Sequence, residues 1–246
     1  MVDEERNIWG ELAGWAAALG LDLSERQLSH LKRYVGLIGK WNRRIRLVGD
    51  PDPGVLVDKH IADSLTCVLA GCITPTSRIV DVGAGAGLPG IPLAIALGAR
   101  VTLIEANAKK SAFLSFVREA LRLEGVAVVA GRAEELAHGP MRESFDVAVA
   151  RGLASLSVVL EYCLPLVQVG GCVVAQKGVP AEEEVDMGRA ASATLGGGEP
   201  SLVQVPARAG ASKRSLIVVR KESPTPERFP RKPGAPAKRP LGSARR

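Results

Sequence analysis

The residues with the clearest chemical meaning crowd into positions 78–90, R-I-V-D-V-G-A-G-A-G-L-P-G. Asp81 interrupts an apolar run of Ile79, Val80 and Val82, and Gly83, Gly85 and Gly87 follow at alternate positions. Glycine reaches positive φ at no steric cost and lets a ligand press against bare backbone. The pattern predicts a buried strand, a tight turn and a helix over 88–97. Pro89 falls in the first helical turn, where a missing N–H matters little. Such a helix start offers free N–H groups and a positive dipole end to whatever occupies the turn.

Two cofactor classes use a turn of this kind. A dinucleotide fold needs G-x-G-x-x-G and an acid about 20 residues further on. Gly85, Gly87 and Gly90 meet that spacing, and Glu105 ends the next apolar run. An S-adenosyl-L-methionine (AdoMet) site instead places an acid two residues ahead of three alternating glycines, the register of Asp81, Gly83, Gly85 and Gly87. A carboxylate beside the turn repels a pyrophosphate and suits the ammonium and sulfonium groups of AdoMet. The balance lies with AdoMet. A nicotinamide-dependent oxidoreductase is the alternative, and a ligand-free structural turn is the plain reading.

Strands and helices must hold this turn in place. Apolar runs at 101–106, 126–130, 145–150 and 171–176 alternate with helical spacing at 108–123, 155–167 and 182–195. That alternation predicts an α/β fold, a mostly parallel, doubly wound sheet with ligands at the carboxyl ends of its strands. The last two runs, 202–205 and 216–220, are joined by a link too short for a crossover and therefore suit an antiparallel pair, the methyltransferase variation on the fold. Strand ends then supply the candidate contacts. Glu105 can accept the ribose hydroxyls, while Ala133 and Glu134 can hold adenine. Arg151 stands beside the expected transfer point, with an ion pair to Asp146 or Glu161 as its plainer role. Lys177 suits a substrate phosphate or base, or simply solvent.

Ahead of the turn, Ile8, Leu12, Trp15 and Leu19 share one helix face, and Ser24-x-x-Gln27 reads as a capping box opening a second helix. That helix ends in Lys32, Arg33, Lys40, Arg43, Arg44 and Arg46 with no acid before Asp50. A helix dipole accounts for one or two such cations; six point to phosphate. From Val55 a further helix carries His60, Asp63 and Ser64 on one face. They read as a hydrogen-bond cluster facing the cofactor turn, or as a plain helix cap, and are too few for a metal site.

Composition narrows the class. The 246 residues are 46% hydrophobic and 24% charged, as expected of a soluble α/β domain with additions. No apolar run approaches the ~18 residues of a membrane span, and the acidic start M-V-D-E-E-R is unlike a signal peptide. Cys67, Cys72, Cys163 and Cys172 lack metal-like spacing and read as reduced core residues of a cytoplasmic protein. The net charge of +6 resides in the ending: from 221 onward eight bases face two acids, and the rest of the chain balances. The division expected is an N-terminal helical extension (1–54), an AdoMet-binding domain (55–221) and a basic, proline-rich tail (222–246). With few aliphatics the tail cannot fold alone. It reads as a solubilising arm or as an RNA strap using Arg231, Lys232, Lys238 and Arg239. Nine aromatics in the whole chain argue against a base-stacking RNA-binding module.

Two absences narrow the reaction. The fourth strand ends in Ala150-Arg151-Gly152-Leu153 rather than the N/D-P-P-Y/F of many amino-group methyltransferases. No cysteine stands where a carbon-5 pyrimidine methylase needs its nucleophile. A ring nitrogen such as guanine N7 needs neither, because it carries a lone pair and loses no proton. Alignment alone can then contribute ~7–11 kcal/mol, with no general base.

The chain resembles a known family, the bacterial 16S rRNA guanine-N7 methyltransferases called glucose-inhibited division protein B. The matching segments are K-W-N (40–42), H-I-A-D-S-L (60–65), V-D-V-G-A-G-A-G-L-P-G-I-P-L (80–93), G-R-A-E-E (131–135), A-R-G-L-A-S-L (150–156), L-P-L (164–166), Q-K-G (176–178) and F-P-R-K-P-G-A-P-A-K-R-P-L (229–241). The resemblance implies a class I AdoMet-dependent methyltransferase, Rossmann-like with an antiparallel terminal strand. It implies a guanine of 16S rRNA in the small ribosomal subunit as acceptor; the residues themselves give no expectation of a metal or a membrane partner. The family's cofactor contacts carry over to Gly83, Leu88, Glu105, Ala106, Asn107, Ala133, Glu134 and Arg151. Where the family often has N-L-T after K-W-N, this chain has Arg46-Leu47-Val48, and Gly152 replaces the usual alanine after Arg151.

Overall fold

A computed structural model describes residues 2–178, 182–207 and 213–243, with side chains from Ile8 onward. Two helices, α1 (Val2–Ala18) and α2 (Glu25–Asn42), lead into four short helical pieces: α3 (Pro53–Val55), a π turn (Leu56–Ile61), α4 (Ala62–Leu65) and a 3₁₀ turn (Thr66–Ala70). Then come β1 (Arg78–Val82), α5 (Gly90–Leu97), β2 (Arg100–Glu105), α6 (Ala108–Ala120), β3 (Val126–Ala130) and α7 (Ala133–Leu136). β4 (Phe145–Arg151), α8 (Leu156–Cys163), β5 (Val167–Lys177) and α9 (Glu182–Leu195) continue the alternation, and β6 (Ser201–Gln204), β7 (Ser215–Arg220) and α10 (Ala235–Lys238) close it.

The seven strands form one sheet in the order β3-β2-β1-β4-β5-β7-β6. The first five strands run parallel, and β7 lies antiparallel to both β5 and β6. Chain order reverses between β1 and β4, so a crevice opens at their carboxyl ends. Strand residues alternate between two cores. Ile79, Val101 and Val149 pack with Leu12, Leu31, Ile38 and Phe113 from the N-terminal helices and α6. Val80, Val82 and Ala148 pack on the opposite face with α8, α9 and Phe229.

Local chemistry accounts for how the N-terminal helices sit. Ser24 and Gln27 form the expected capping box, and the Gln27 amide also donates to the carbonyls of Ile95 and Ala96 at 3.1 and 2.9 Å, closing the end of α5. Tyr34, wholly buried, donates its hydroxyl to the Ala86 carbonyl at 2.6 Å. One phenol thus ties α2 to the glycine turn.

Several expectations change. Helix α8 stops at Cys163, where Pro165 cannot continue the hydrogen-bond ladder, and β5 starts at Val167 rather than near Gly171. Cys72 and Cys172 are joined in a disulfide, not reduced; they lie 100 residues apart in sequence, so spacing alone carried no sign of the pairing. Cys67 and Cys163 are the free, buried pair. The proline-rich ending is not a loose arm over 222–243: it packs on the body, with Lys232, Lys238 and Arg239 left exposed. Phe229 is buried, and the Arg142 guanidinium donates to the carbonyls of Thr225, Phe229 and Ala137 at 2.6, 2.9 and 3.2 Å. Lys221, also buried, bonds the Leu164 carbonyl and the Thr225 hydroxyl and pairs with Glu143 at 3.1 Å. The ending cannot fold alone, but the body supplies the core and hydrogen-bond donors it lacks.

Candidate functional site

The glycine turn sits at the carboxyl end of β1. Gly83, Gly85 and Gly87 have φ of 71°, 59° and 93°, which glycine adopts freely and other residues only with strain. Their duties differ. A Cβ on Gly83 would meet the Leu153 side-chain tip at 2.6 Å, and one on Gly87 would meet the Ile91 tip at 2.5 Å, so apolar side chains close over both. At Gly85 the nearest neighbour is the Gly83 carbonyl at 3.8 Å, so bare backbone faces open space there. Its N–H donates to Glu105 Oε2 at 2.8 Å, and Glu105 Oε1 accepts from Asn107 N–H at 2.7 Å. Each Glu105 oxygen keeps a further lone pair for a ligand hydroxyl.

Asp81 differs from expectation. It is wholly buried and outside the cavity wall, and its Oδ2 accepts from Gly90 N–H at 2.8 Å. The helix start is therefore capped by Asp81, and that N–H is not free for a ligand. The fit is tight, since a Cβ on Gly90 would meet Leu103 and Asp81 at 2.5 and 2.7 Å. Oδ1 has no hydrogen-bond partner. Burial pushes this carboxyl up to about 7, with the Gly90 N–H and Arg151 pulling the other way.

Arg151, at the end of β4, gathers the second group. It pairs neither with Asp146, which holds Arg78, nor with Glu161, which holds Arg231. Instead its Nη1 reaches Asp63 Oδ2 at 3.2 Å and its Nη2 reaches His60 Nδ1 at 2.9 Å. A guanidinium only donates, so Nδ1 accepts and the imidazole proton sits on Nε2. Burial, then Arg151 and Arg214, push His60 down to about 4, so it is neutral near pH 7. Burial raises Asp63 while Arg151 and Arg214 oppose the rise. His60 belongs to the π turn and Asp63 to the α4 turn after it; a single-turn π insertion of this sort re-aims side chains. Ser64 is turned away, buried, with its hydroxyl on the His60 carbonyl at 2.6 Å. Gln176 anchors the cluster from β5, donating to the Asp63 carbonyl at 2.7 Å and the Thr66 hydroxyl at 3.2 Å.

These groups wall a cavity of about 550 Å³, ample for a nucleoside-sized ligand. Gly83, Gly85, Leu88, Arg151, His60, Asp63 and Lys177 line it. Glu105, Ala106, Asn107, Ala133 and Glu134 lie outside that wall, along the ends of β2 and β3. Glu134 is buried and its Oε1 accepts from Gly234 N–H of the ending at 3.0 Å. The open backbone at Gly85 and the Glu105 carboxylate with lone pairs to spare fit AdoMet: a glycine turn for the methionine end, an acid for the ribose.

Lys177 faces the cavity but is already engaged, at 2.5 Å from the Ala154 carbonyl and 2.7 Å from Glu184. Arg43, Arg44 and Arg46 are exposed around the end of α2, and Lys232, Lys238 and Arg239 are exposed on the ending. Arg231 is already engaged within the fold, with its side chain 28% exposed. Its Nε and Nη2 bond Glu161, whose side chain is fully buried, at 2.8 and 2.5 Å. Sequence reasoning missed Lys59, Lys110 and Arg214, which also line the cavity. Arg214 immediately precedes β7 and carried no local signal, whereas Lys110 follows the Asn107 cap of α6 and was within reach of a strand-end argument. Among the described residues no helix is long and apolar enough to cross a membrane, and no cluster of three or more potential ligands could hold a metal.

A family model described as rRNA small subunit methyltransferase G matches residues 27–216. The chain belongs to that family. Proteins named ribosomal RNA small subunit methyltransferase G share 40% identity over 94% of this chain and 97% of the relative in Moorella thermoacetica. The figures are 43% over 91% and 87% in Rubrobacter xylanophilus, and 42% over 94% and 99% in Roseiflexus castenholzii. Among solved structures, a geranyl diphosphate C-methyltransferase from Streptomyces coelicolor matches with TM-score 0.51 and 16% identity, over 76% of this chain and 98% of its own. A precorrin-6y C5,15-methyltransferase from Geobacter metallireducens matches with TM-score 0.50 and 15% identity, over 72% and 92%. At these identities the likeness is one of fold, that of class I methyltransferases. In this chain His60 and Asp63 of H-I-A-D-S-L and Arg151 of A-R-G form one bonded group.

Proposed function

We propose that this member of the small-subunit methyltransferase G family transfers the methyl group of AdoMet to N7 of a guanine in 16S rRNA. The observation that carries the reading is the open backbone of Gly85 in the cavity that Arg151, His60 and Asp63 wall on the other side. When bound, AdoMet would supply a methyl group on a cationic sulfur that keeps the C–S electron pair and departs as a neutral thioether. Gly83, Gly85 and Leu88 take the methionine end, Glu105 with Ala106 and Asn107 the ribose, and Ala133 with Glu134 the adenine. Asp81 acts from behind, holding the helix start in register rather than touching the ligand.

Guanine N7 attacks with its own lone pair and loses no proton, so no base is required. The residues agree with that economy. His60 is neutral but its Nδ1 is occupied by Arg151, and Asp63 is bound to the same guanidinium. Arg151 is then a positioning group at the transfer point, and alignment supplies the ~7–11 kcal/mol available to proximity. Lys59, Lys110, Lys177, Arg151 and Arg214 outnumber Asp63 around the cavity, a field that suits a polyanionic substrate. The setting is the cytoplasm, and the partner is 16S rRNA, naked or assembled into the small subunit.

A nicotinamide-dependent oxidoreductase is disfavoured because its pyrophosphate would need the Gly90 N–H that Asp81 already holds. A non-catalytic RNA-binding role leaves the cavity without a purpose. The test is to incubate the protein with labelled AdoMet and either naked 16S rRNA or small subunits from cells lacking the gene, then to analyse nucleosides by mass spectrometry. Label in 7-methylguanosine from one substrate is expected; label absent from both RNAs would overturn the proposal.

A further inference from the structure

Against the expectation from its few aromatics, three of the nine gather at one place on this chain. Trp41, at the end of α2, lies against Phe113 and Phe116 of α6 with ring centroids 5.5 and 5.4 Å apart. Phe113 is fully buried, whereas Phe116 is 42% exposed. Trp41 packs on the Phe116 ring at an interplanar angle of 41°, and the part of that ring it leaves uncovered meets solvent.

The surroundings are cationic. Lys40 of α2 and Arg43 and Arg44 just past its end are exposed close to Trp41 in sequence, and Lys109 lies on the Phe116 face of α6, about 10 Å nearer its start. The next residue, Lys110, lines the proposed cofactor cavity, as do Leu47 and Val48 just beyond α2. The surface therefore runs from the cavity mouth to the ring. A lone planar ring in a cationic rim is too small an apolar patch for a protein interface. It suits an unstacked nucleotide, with the base on the ring and its phosphates on the cations.

We propose that Phe116, backed by Trp41, stacks an unpaired nucleobase of the RNA strand flanking the target guanine, with Lys40, Arg43 and Lys109 holding its phosphates. This rests on the methyltransferase reading above. The experiment compares the full chain with Phe116→Ala, Phe116→Leu and Phe116→Tyr, measuring KM for RNA, kcat and AdoMet affinity by calorimetry. Loss of one stacked base raises the KM of the Ala and Leu variants roughly tenfold, while Tyr restores it and AdoMet affinity stays within about twofold. A KM unchanged in the Ala variant, full rescue by Leu, or a matching loss of AdoMet affinity would each overturn the platform. Anisotropy with a single-stranded oligoribonucleotide separates the two proposals. Should the wild type bind it better than Phe116→Ala yet methylate no RNA, the platform stands and the methyltransferase reading falls.

Discussion

Replacing Arg231 with methionine tests whether the basic ending braces the fold or grips RNA. Arg231 Nε and Nη2 bond the Glu161 carboxylate at 2.8 and 2.5 Å, and Glu161 is 0% exposed against 28% for the arginine. The substitution keeps the backbone N–H on Glu161 Oε1 at 3.0 Å and much of the aliphatic volume, but it strands a buried charge. Breaking a buried ion pair in this way costs about 3–5 kcal/mol, a large share of the ~5–15 kcal/mol that holds a domain together. For a chain of this size each kcal/mol shifts Tm by roughly 2–4 °C. Thermal unfolding followed by circular dichroism should therefore show Arg231→Met melting about 6–20 °C lower. Glu161→Gln in the same chain should recover most of the loss, since an amide needs no cation. The reasoning is refuted if Arg231→Met leaves Tm within about 2 °C of wild type and instead raises KM for RNA, for then the guanidinium serves the substrate.

Three further outcomes are expected. Asp81→Ala should leave the Gly90 N–H without an acceptor and lower stability by about 1–3 kcal/mol, whereas Asp81→Asn keeps an acceptor. Because the folded value is raised to about 7, the wild type loses stability as pH climbs from the ordinary carboxylate range through 7, and the Asn variant does not. The Tm gap in favour of Asp81→Asn must widen with pH, and a narrowing gap would contradict the burial argument. His60 has a folded value lowered to about 4, so the unfolded chain takes up this proton first and stability falls as pH drops from about 6.5 toward 4. His60→Asn should flatten that slope in acid unfolding curves; an unchanged slope would assign the loss to other groups. Thiol titration of the unfolded, unreduced protein should give two thiols, Cys67 and Cys163, and a count of four would show that the Cys72–Cys172 bridge does not form.

The fold was legible because its signals are local and repeated: alternating strand and helix periods, a capping box at Ser24, a glycine turn after a buried run. The short link before β7 correctly announced the antiparallel pair. What sequence could not show were contacts made across the fold. Arg151 had acids near it in sequence, and the one it chose, Asp63, stands 88 residues away. Asp81 occupied the register of a ligand-facing acid, yet strand alternation and a close Gly90 turned it inward. Proline content argued that the ending could not fold by itself, which is a statement about isolated chains; Arg142 and Glu161 on the body supply its partners. Phe116 is one residue from the α6 core positions in any helical plot, and only Trp41 gives it meaning.

The contact between Gly234 and Glu134 has a consequence for biosynthesis. Residues 222–243 leave the ribosome after every strand of the sheet has been made, so a nascent chain that has just completed β7 holds Glu161 without its arginine and Glu134 without its amide. We expect such a chain to be short of two internal braces and to retain the methyl donor poorly. Arrested chains ending at Lys221 would then gain little protease resistance from AdoMet, and strong protection would disprove the idea. Translation order would itself keep unfinished copies from working on ribosomal RNA.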